Sequence, residues 1–127
     1  MARILVCDDE EGMRTFVARA LQLEGHMTVQ AEDGAHALEI LTADDVGFDL
    51  LVTDIRMPVM DGIALALNVA RDYPSTTILL MTGFADQQER ATDLEAIIHD
   101  VVAKPFSLTQ IRQMAKEALA ARAAVAA

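Results

Sequence analysis

The chain is poor in cysteine and basic side chains, and it lacks any long apolar run. Each shortage excludes something. One cysteine, Cys7, leaves no internal disulfide, and its place inside an apolar stretch marks it as a buried, inert thiol. Ten Lys and Arg against twenty Asp and Glu give a formal net charge of -10. That balance speaks against nucleic acid as a partner, whose binding is driven by cations neutralising phosphates. No stretch approaches the roughly 20 apolar residues that span a bilayer, and MARILVCDDE turns acidic too early for a signal peptide. Neither a Walker loop nor G-x-G-x-x-G is present, so nucleotide binding has no motif behind it. His26, His36 and His99 show no ligand spacing. The expectation is a cytoplasmic protein without membrane insertion. Its 127 residues suit one domain that buries roughly two-thirds of the surface its unfolded chain exposes.

What is present is a series of short apolar runs ending in polar groups. Arg3 to Cys7 reads as a buried strand tipped by Asp8, Asp9, Glu10 and Glu11. Met13, Phe16, Val17, Ala20 and Leu21 then fall at helical spacing, with Gly25 placed to stop the helix. Met27 to Ala31 is a more polar strand near an edge, and Asp33-Gly34 opens a helix carrying Ala37, Leu38 and Leu41. Leu50 to Thr53 runs apolar without alternation, as in a strand buried on both faces, and delivers Asp54 to its end. Pro58 stops that strand. Asp61 caps a helix whose stripe is Ile63, Ala66, Leu67 and Ala70.

Thr76 to Met81 is a fourth buried strand ending at Thr82-Gly83. Asp86 and Glu89 have capping-box spacing for a thinly striped helix to about Ile98, the loosest element expected. Val101 to Ala103 is a short fifth strand ending at Lys104-Pro105, and Ser107 with Gln110 caps a last amphipathic helix. Phe16 and Phe48 read as core. The domain is expected over residues 1–121, with an alanine-rich tail over 122–127 that frays. Right-handed parallel crossovers then predict a flavodoxin-like (βα)5 fold, a doubly wound parallel sheet in the order 2-1-3-4-5.

In that order the first and third strands are neighbours, which brings Asp8, Asp9 and Asp54 together at the sheet's carboxyl edge. Such carboxylates repel by about 4 kcal/mol per pair at roughly 4 Å, and a divalent ion offsets the repulsion. Hard oxygen donors with room for water and phosphate oxygens match Mg2+. A carboxylate can then attack phosphorus in line, with Lys104 and Mg2+ spreading the charge. The Thr82 hydroxyl donates to a phosphoryl oxygen, and Gly83 lets the backbone approach. The product is an acyl phosphate on Asp54.

Asp8-Asp9, Asp54, Thr82 and Lys104-Pro105-Phe106 at these spacings resemble a response-regulator receiver domain, from Ala2 to about Leu119. The resemblance implies that Asp54 is the phosphoacceptor. Mg2+ is held by Asp8, Asp9, Asp54 and the backbone carbonyl of Arg56. Thr82 and Lys104 hold the phosphoryl group, and the Lys104-Pro105 bond is cis. It implies a histidine kinase or histidine phosphotransferase as donor, and a domain that catalyses only its own phosphorylation and dephosphorylation. This chain departs by having Val101 where the family carries an aromatic that moves with the threonine. Arg56 and Phe84, each two residues past a site residue, are placed to screen attacking water.

TGFADQQERA followed by HDVVAKPFSL resembles the CpdR-type single-domain regulators of alphaproteobacteria. That resemblance implies an adaptor of the ClpXP protease at the cell pole, binding ClpX when unphosphorylated. Ala126-Ala127 is similar to the small apolar tail that ClpX recognises. The alternatives are a phosphate shuttle or a CheY-like regulator with another partner. A small Mg2+-dependent phosphatase of the haloacid-dehalogenase type is a further alternative, but it needs a second aspartate where Arg56 stands.

Overall fold

The first, third and fourth strands of this protein form where apolar residues run without a helical period, and each is buried on both faces or nearly so, while the second and fifth, at the sheet's edges, stay partly exposed. The computed structural model describes residues 1–83 and 90–126, with side chains as far as Arg122. In chain order the elements are β1 (Arg3–Cys7), α1 (Glu11–Leu23), β2 (Met27–Ala31), α2 (Gly34–Ala43), β3 (Leu50–Asp54), α3 (Gly62–Asp72), β4 (Thr77–Thr82), β5 (Asp100–Ala103) and α4 (Leu108–Ala126). The sheet is parallel throughout in the order β2-β1-β3-β4-β5, the doubly wound arrangement expected from the sequence. The polar β2 takes an edge.

Side chains alternate across the sheet with a period of two. Ile4, Val6, Leu50, Val52, Leu79 and Met81 face α1 and α4, where Val17, Leu21, Ile111 and Ala115 meet them. Leu5, Cys7, Leu51, Ile78 and Leu80 face α2 and α3, meeting Leu41, Leu65 and Val69. Continuous apolar runs in β1, β3 and β4 thus feed two cores, which explains why those strands do not alternate in sequence.

Side-chain caps set the starts of α2, α3 and α4. Asp33 accepts from the His36 N–H at 2.8 Å and Asp61 from the Ala64 N–H at 2.8 Å. Ser107 and Gln110 cap reciprocally, with bonds of 3.0 and 2.7 Å.

Two packing expectations are corrected. Phe16 is 36% exposed, because α1 turns Val17, Ala18, Ala20 and Leu21 inward and leaves the ring beside Phe106, at 6.3 Å between centroids. Leu67 is 51% exposed, since Leu65, Ala66 and Val69 form the inward stripe of α3. Helix α4 runs to Ala126, with Arg122 donating to the Ser75 carbonyl at 2.8 Å and pairing with Asp49 at 3.2 Å. Alanines propagate a helix well once such an anchor holds it. Before β5, residues 90–92 are helical and 93–97 are turns. Leu94 and Ile97 bond three residues back, so the expected helix to Ile98 gives way after Thr92. The proposed Asp86–Glu89 cap lies outside the described residues, as do Phe84 and Ala127.

Candidate functional site

The carboxyl ends of β1, β3, β4 and β5 converge at one edge of the sheet. β3 ends on Asp54, which is 7% exposed, and β1 leads into Asp8, which is fully buried. Asp8 is held on two sides, with its N–H donating to the Ala31 carbonyl at 3.2 Å and its Oδ1 accepting from the Glu10 N–H at 2.9 Å. Asp9 is exposed beside it. One carboxylate oxygen from each of Asp8, Asp9 and Asp54 lies within 4.8 Å of the others. Lys104 reaches in from the end of β5, its Nζ at 3.1 Å from Asp8 Oδ2 and 3.2 Å from Asp54 Oδ1.

Burial pushes the Asp54 carboxyl above the ordinary carboxylate range; Lys104 pulls it back, and Asp8 pushes it up again. Burial lowers the Lys104 pKa, but Asp54 and Asp8 outweigh it and hold the ammonium above the ordinary lysine value. Three carboxylates against one ammonium leave negative charge uncompensated in a half-buried place. Their hard oxygen donors, so spaced, fit a small divalent cation such as Mg2+.

Thr82, 2% exposed, ends β4. Its carbonyl accepts from the Lys104 N–H at 2.7 Å, which fixes the two strand ends to each other. Gly83 follows, with the Lys104 side chain 4.0 Å from where a Cβ would stand. The Lys104-Pro105 peptide is cis. Val101 is half-buried on the α3 side of the sheet and lines a cleft of about 420 Å3 with Ala91, Thr92, Glu95 and Ile98.

The backbone of the Asp54 loop is tightly seated. The Gly62 N–H donates to the Ile55 carbonyl at 2.7 Å, and a Cβ on Gly62 would collide with the Asp54 carbonyl group. Only glycine allows α3 to start this close to the phosphoacceptor candidate. Met57 tucks beneath, with its Sδ 3.5 Å from the Cys7 thiol, whose pKa burial pushes up to about 12. Arg56 is exposed next to it.

Two contacts at the site have no local signal in sequence. Arg14 donates to the Asp8 carbonyl at 2.9 Å and to Gln30 at 3.2 Å, bracing the acidic loop from the first turn of α1. Arg90 pairs with Asp61 at 3.0 Å, so the residue that caps α3 also ties the Asp54 loop to the segment after Thr82.

A family model described as "Response regulator receiver domain" matches residues 4–116. The chain belongs to this family. The receiver domain is 37% identical over 111 residues to the response regulator receiver protein CpdR of Brucella abortus, covering 87% of this chain and 91% of that protein. It is 32% identical over 119 residues to sporulation initiation phosphotransferase F of Bacillus subtilis, covering 92% and 93%. It is also 34% identical over 117 residues to the regulatory protein AtoC of Escherichia coli, of which it spans 25%. Among solved structures, a receiver domain protein from Clostridium thermocellum shares the fold with a TM-score of 0.88 at 21% identity, over 98% of this chain and 99% of that one. Response regulator TrrA from Thermotoga maritima, in complex with Mg(2+)-BeF, aligns with a TM-score of 0.81 at 28% identity, over 92% and 98%. No helix among the described residues is long and apolar enough to cross a membrane.

Proposed function

We propose that this receiver domain is phosphorylated on Asp54 with Mg2+ bound, and that it works as a single-domain, phosphorylation-controlled interaction switch. The observation that carries the reading is the convergence of Asp8, Asp9, Asp54 and Lys104 at one sheet edge.

In this reading Asp8, Asp9, Asp54 and the Arg56 carbonyl would hold Mg2+, which supplies positive charge for the transferring phosphoryl group. Asp54 presents a carboxylate oxygen in line with phosphorus. Lys104 already pairs with that carboxylate and stays beside it as charge builds. The Thr82 hydroxyl and the Gly83 backbone meet the phosphoryl oxygens, and the new charge of roughly -2 draws on those strand ends. Arg56 stands at the rim and, with Phe84, slows the attack of water on the acyl phosphate. A histidine kinase or histidine phosphotransferase supplies the phosphoryl group.

For the output, similarity to CpdR over most of both chains supports a ClpXP adaptor that engages ClpX when unphosphorylated. A polar location goes with that reading alone. Similarity to a sporulation phosphotransferase over nearly the same span supports the second reading, a phosphate shuttle.

The test has two arms. Incubation with acetyl phosphate and Mg2+ should add one phosphoryl group, by intact mass, to the wild type and none to Asp54→Ala. Purified ClpX should then retain the unphosphorylated chain and release it on phosphorylation. Incorporation without ClpX binding in either state selects the shuttle, which a purified histidine phosphotransferase checks by taking the phosphoryl group back. Incorporation that survives Asp54→Ala rejects the site.

A further inference from the structure

Helix α2 is apolar on two sides. Ala37 and Leu41 face the sheet and are buried. Ala35, Leu38 and Thr42 recur at helical spacing on another side. With Glu39, Ala43 and Met60 they line a groove of about 460 Å3. Its walls are apolar apart from the Glu39 carboxylate and the Thr42 hydroxyl. Met60 is fixed in place: the Gly34 N–H donates to its carbonyl at 3.2 Å, and a Cβ at Gly34 would come within 2.6 Å of that oxygen.

Beside Met60, Val59 holds a φ of 67° and is 85% exposed. A β-branched residue in the left-handed region is an outlier, and such strain concentrates at functional surfaces. Across Pro58 the same loop borders a bay of about 360 Å3 walled by Asp9, Glu11, Glu32 and Asp33. Arg14 also lines the bay, but its guanidinium is engaged by Gln30 and the Asp8 carbonyl. The Pro58–Met60 loop thus borders both, with Pro58 lining the acidic bay, Met60 the apolar groove, and exposed Val59 between them in the chain.

We propose that α2 and the Pro58–Met60 loop form a docking surface for a partner protein segment that carries an apolar anchor flanked by Lys or Arg. The anchor fills the groove and covers Val59, and the cations meet Glu39 and the bay. The charge excludes the obvious competitors: a second copy of a chain with net charge -10 is repelled, as is nucleic acid.

Two labelled peptides test the surface. Both have a leucine face and form one amphipathic helix, one with Lys and the other with Glu on the polar face. Each is titrated against the full chain at fixed ionic strength and fixed Mg2+, since the bay shares Asp9 with the carboxylate cluster. Amide shifts locate the contact. The Lys peptide should shift Ala35, Leu38, Thr42 and Val59, and bind at least about tenfold more tightly than the Glu peptide. Leu38→Asn and Val59→Gly add no charge, and the glycine relieves the left-handed backbone. Each should weaken the Lys peptide about tenfold. Shifts confined to other faces, equal binding of the two peptides, or unchanged affinity in Val59→Gly would overturn the proposal. Self-association of the chain through these residues, read by ultracentrifugation, would overturn the choice of occupant.

Discussion

Lys104 Nζ lies 3.2 Å from Asp54 Oδ1, yet this ion pair does not offset the burial of the aspartate, whose pKa stays above the ordinary range. Ionised Asp54 therefore weighs against folding. Asp54→Asn, with divalent ions chelated, should stabilise the chain by on the order of 1 kcal/mol at neutral pH, Lys104 keeping Asp8 as its partner. Because the folded pKa is raised, the penalty is complete above that folded value and fades as pH falls from it toward the unfolded-chain value. Urea unfolding of both proteins across that acid range checks this. A wild type more stable than Asp54→Asn at neutral pH would show that the pair outweighs burial.

Asp61 has the opposite sign. Burial pushes its carboxyl up, but the Ala64 N–H and Arg90 more than compensate and hold it below the usual range. A depressed folded pKa contributes stability above the unfolded-chain pKa that is lost as pH falls through the folded value. Asp61→Ala should lose about 1 kcal/mol at neutral pH and progressively less in acid. Arg90→Ala should lose less, because its half-exposed pair contributes under about 1 kcal/mol. Thermal melts that rank the two in reverse order would make Arg90, rather than the cap, the stabilising partner.

Two glycines make a matched pair. Gly62→Ala sets a Cβ against the Asp54 carbonyl group and 2.9 Å from Ile55 Cα, all backbone, so nothing flexible yields. A loss of about 3 kcal/mol is expected, with phosphorylation reduced even where the variant folds. Gly12, in the first turn of α1, meets nothing within 4 Å, and Gly12→Ala should gain about 0.5 kcal/mol or more. Chemical denaturation gives both numbers; a tolerated Gly62→Ala would mean that α3 can slide away from the Asp54 loop.

Ending the chain at Ala121 removes the Arg122 contacts to Ser75 and Asp49. The shortened protein should be about 1 kcal/mol less stable than the full chain. Equal denaturation midpoints would return residues 122–127 to the status of a tail.

The strands and the acidic edge were legible because both are short-range signals. An apolar run that ends on a carboxylate names a strand and its tip at once, and parallel topology brings Asp8, Asp9 and Asp54 together without further information. Capping residues were legible for the same reason. The Arg90–Asp61 ion pair is not, since residues 29 positions apart leave no periodic trace. The direction of Leu67 is ambiguous in sequence because alanine and leucine at Leu65, Ala66 and Leu67 satisfy more than one helical stripe. Phe16 reads as core in sequence because its apolarity hides that α1 needs only Val17, Ala18, Ala20 and Leu21 for the sheet.

The Cys7 thiol offers the chain a built-in clock. It sits in β1, between two neighbouring strands, sealed by Met57 and fully buried, with burial pushing its pKa up to about 12. An alkylating reagent can reach it only when the Met57 loop or the core beneath it moves aside, so the rate of its modification in native buffer measures how often that face of the sheet opens. One mass measurement per time point, without any engineered label, then compares the variants described above by the same event.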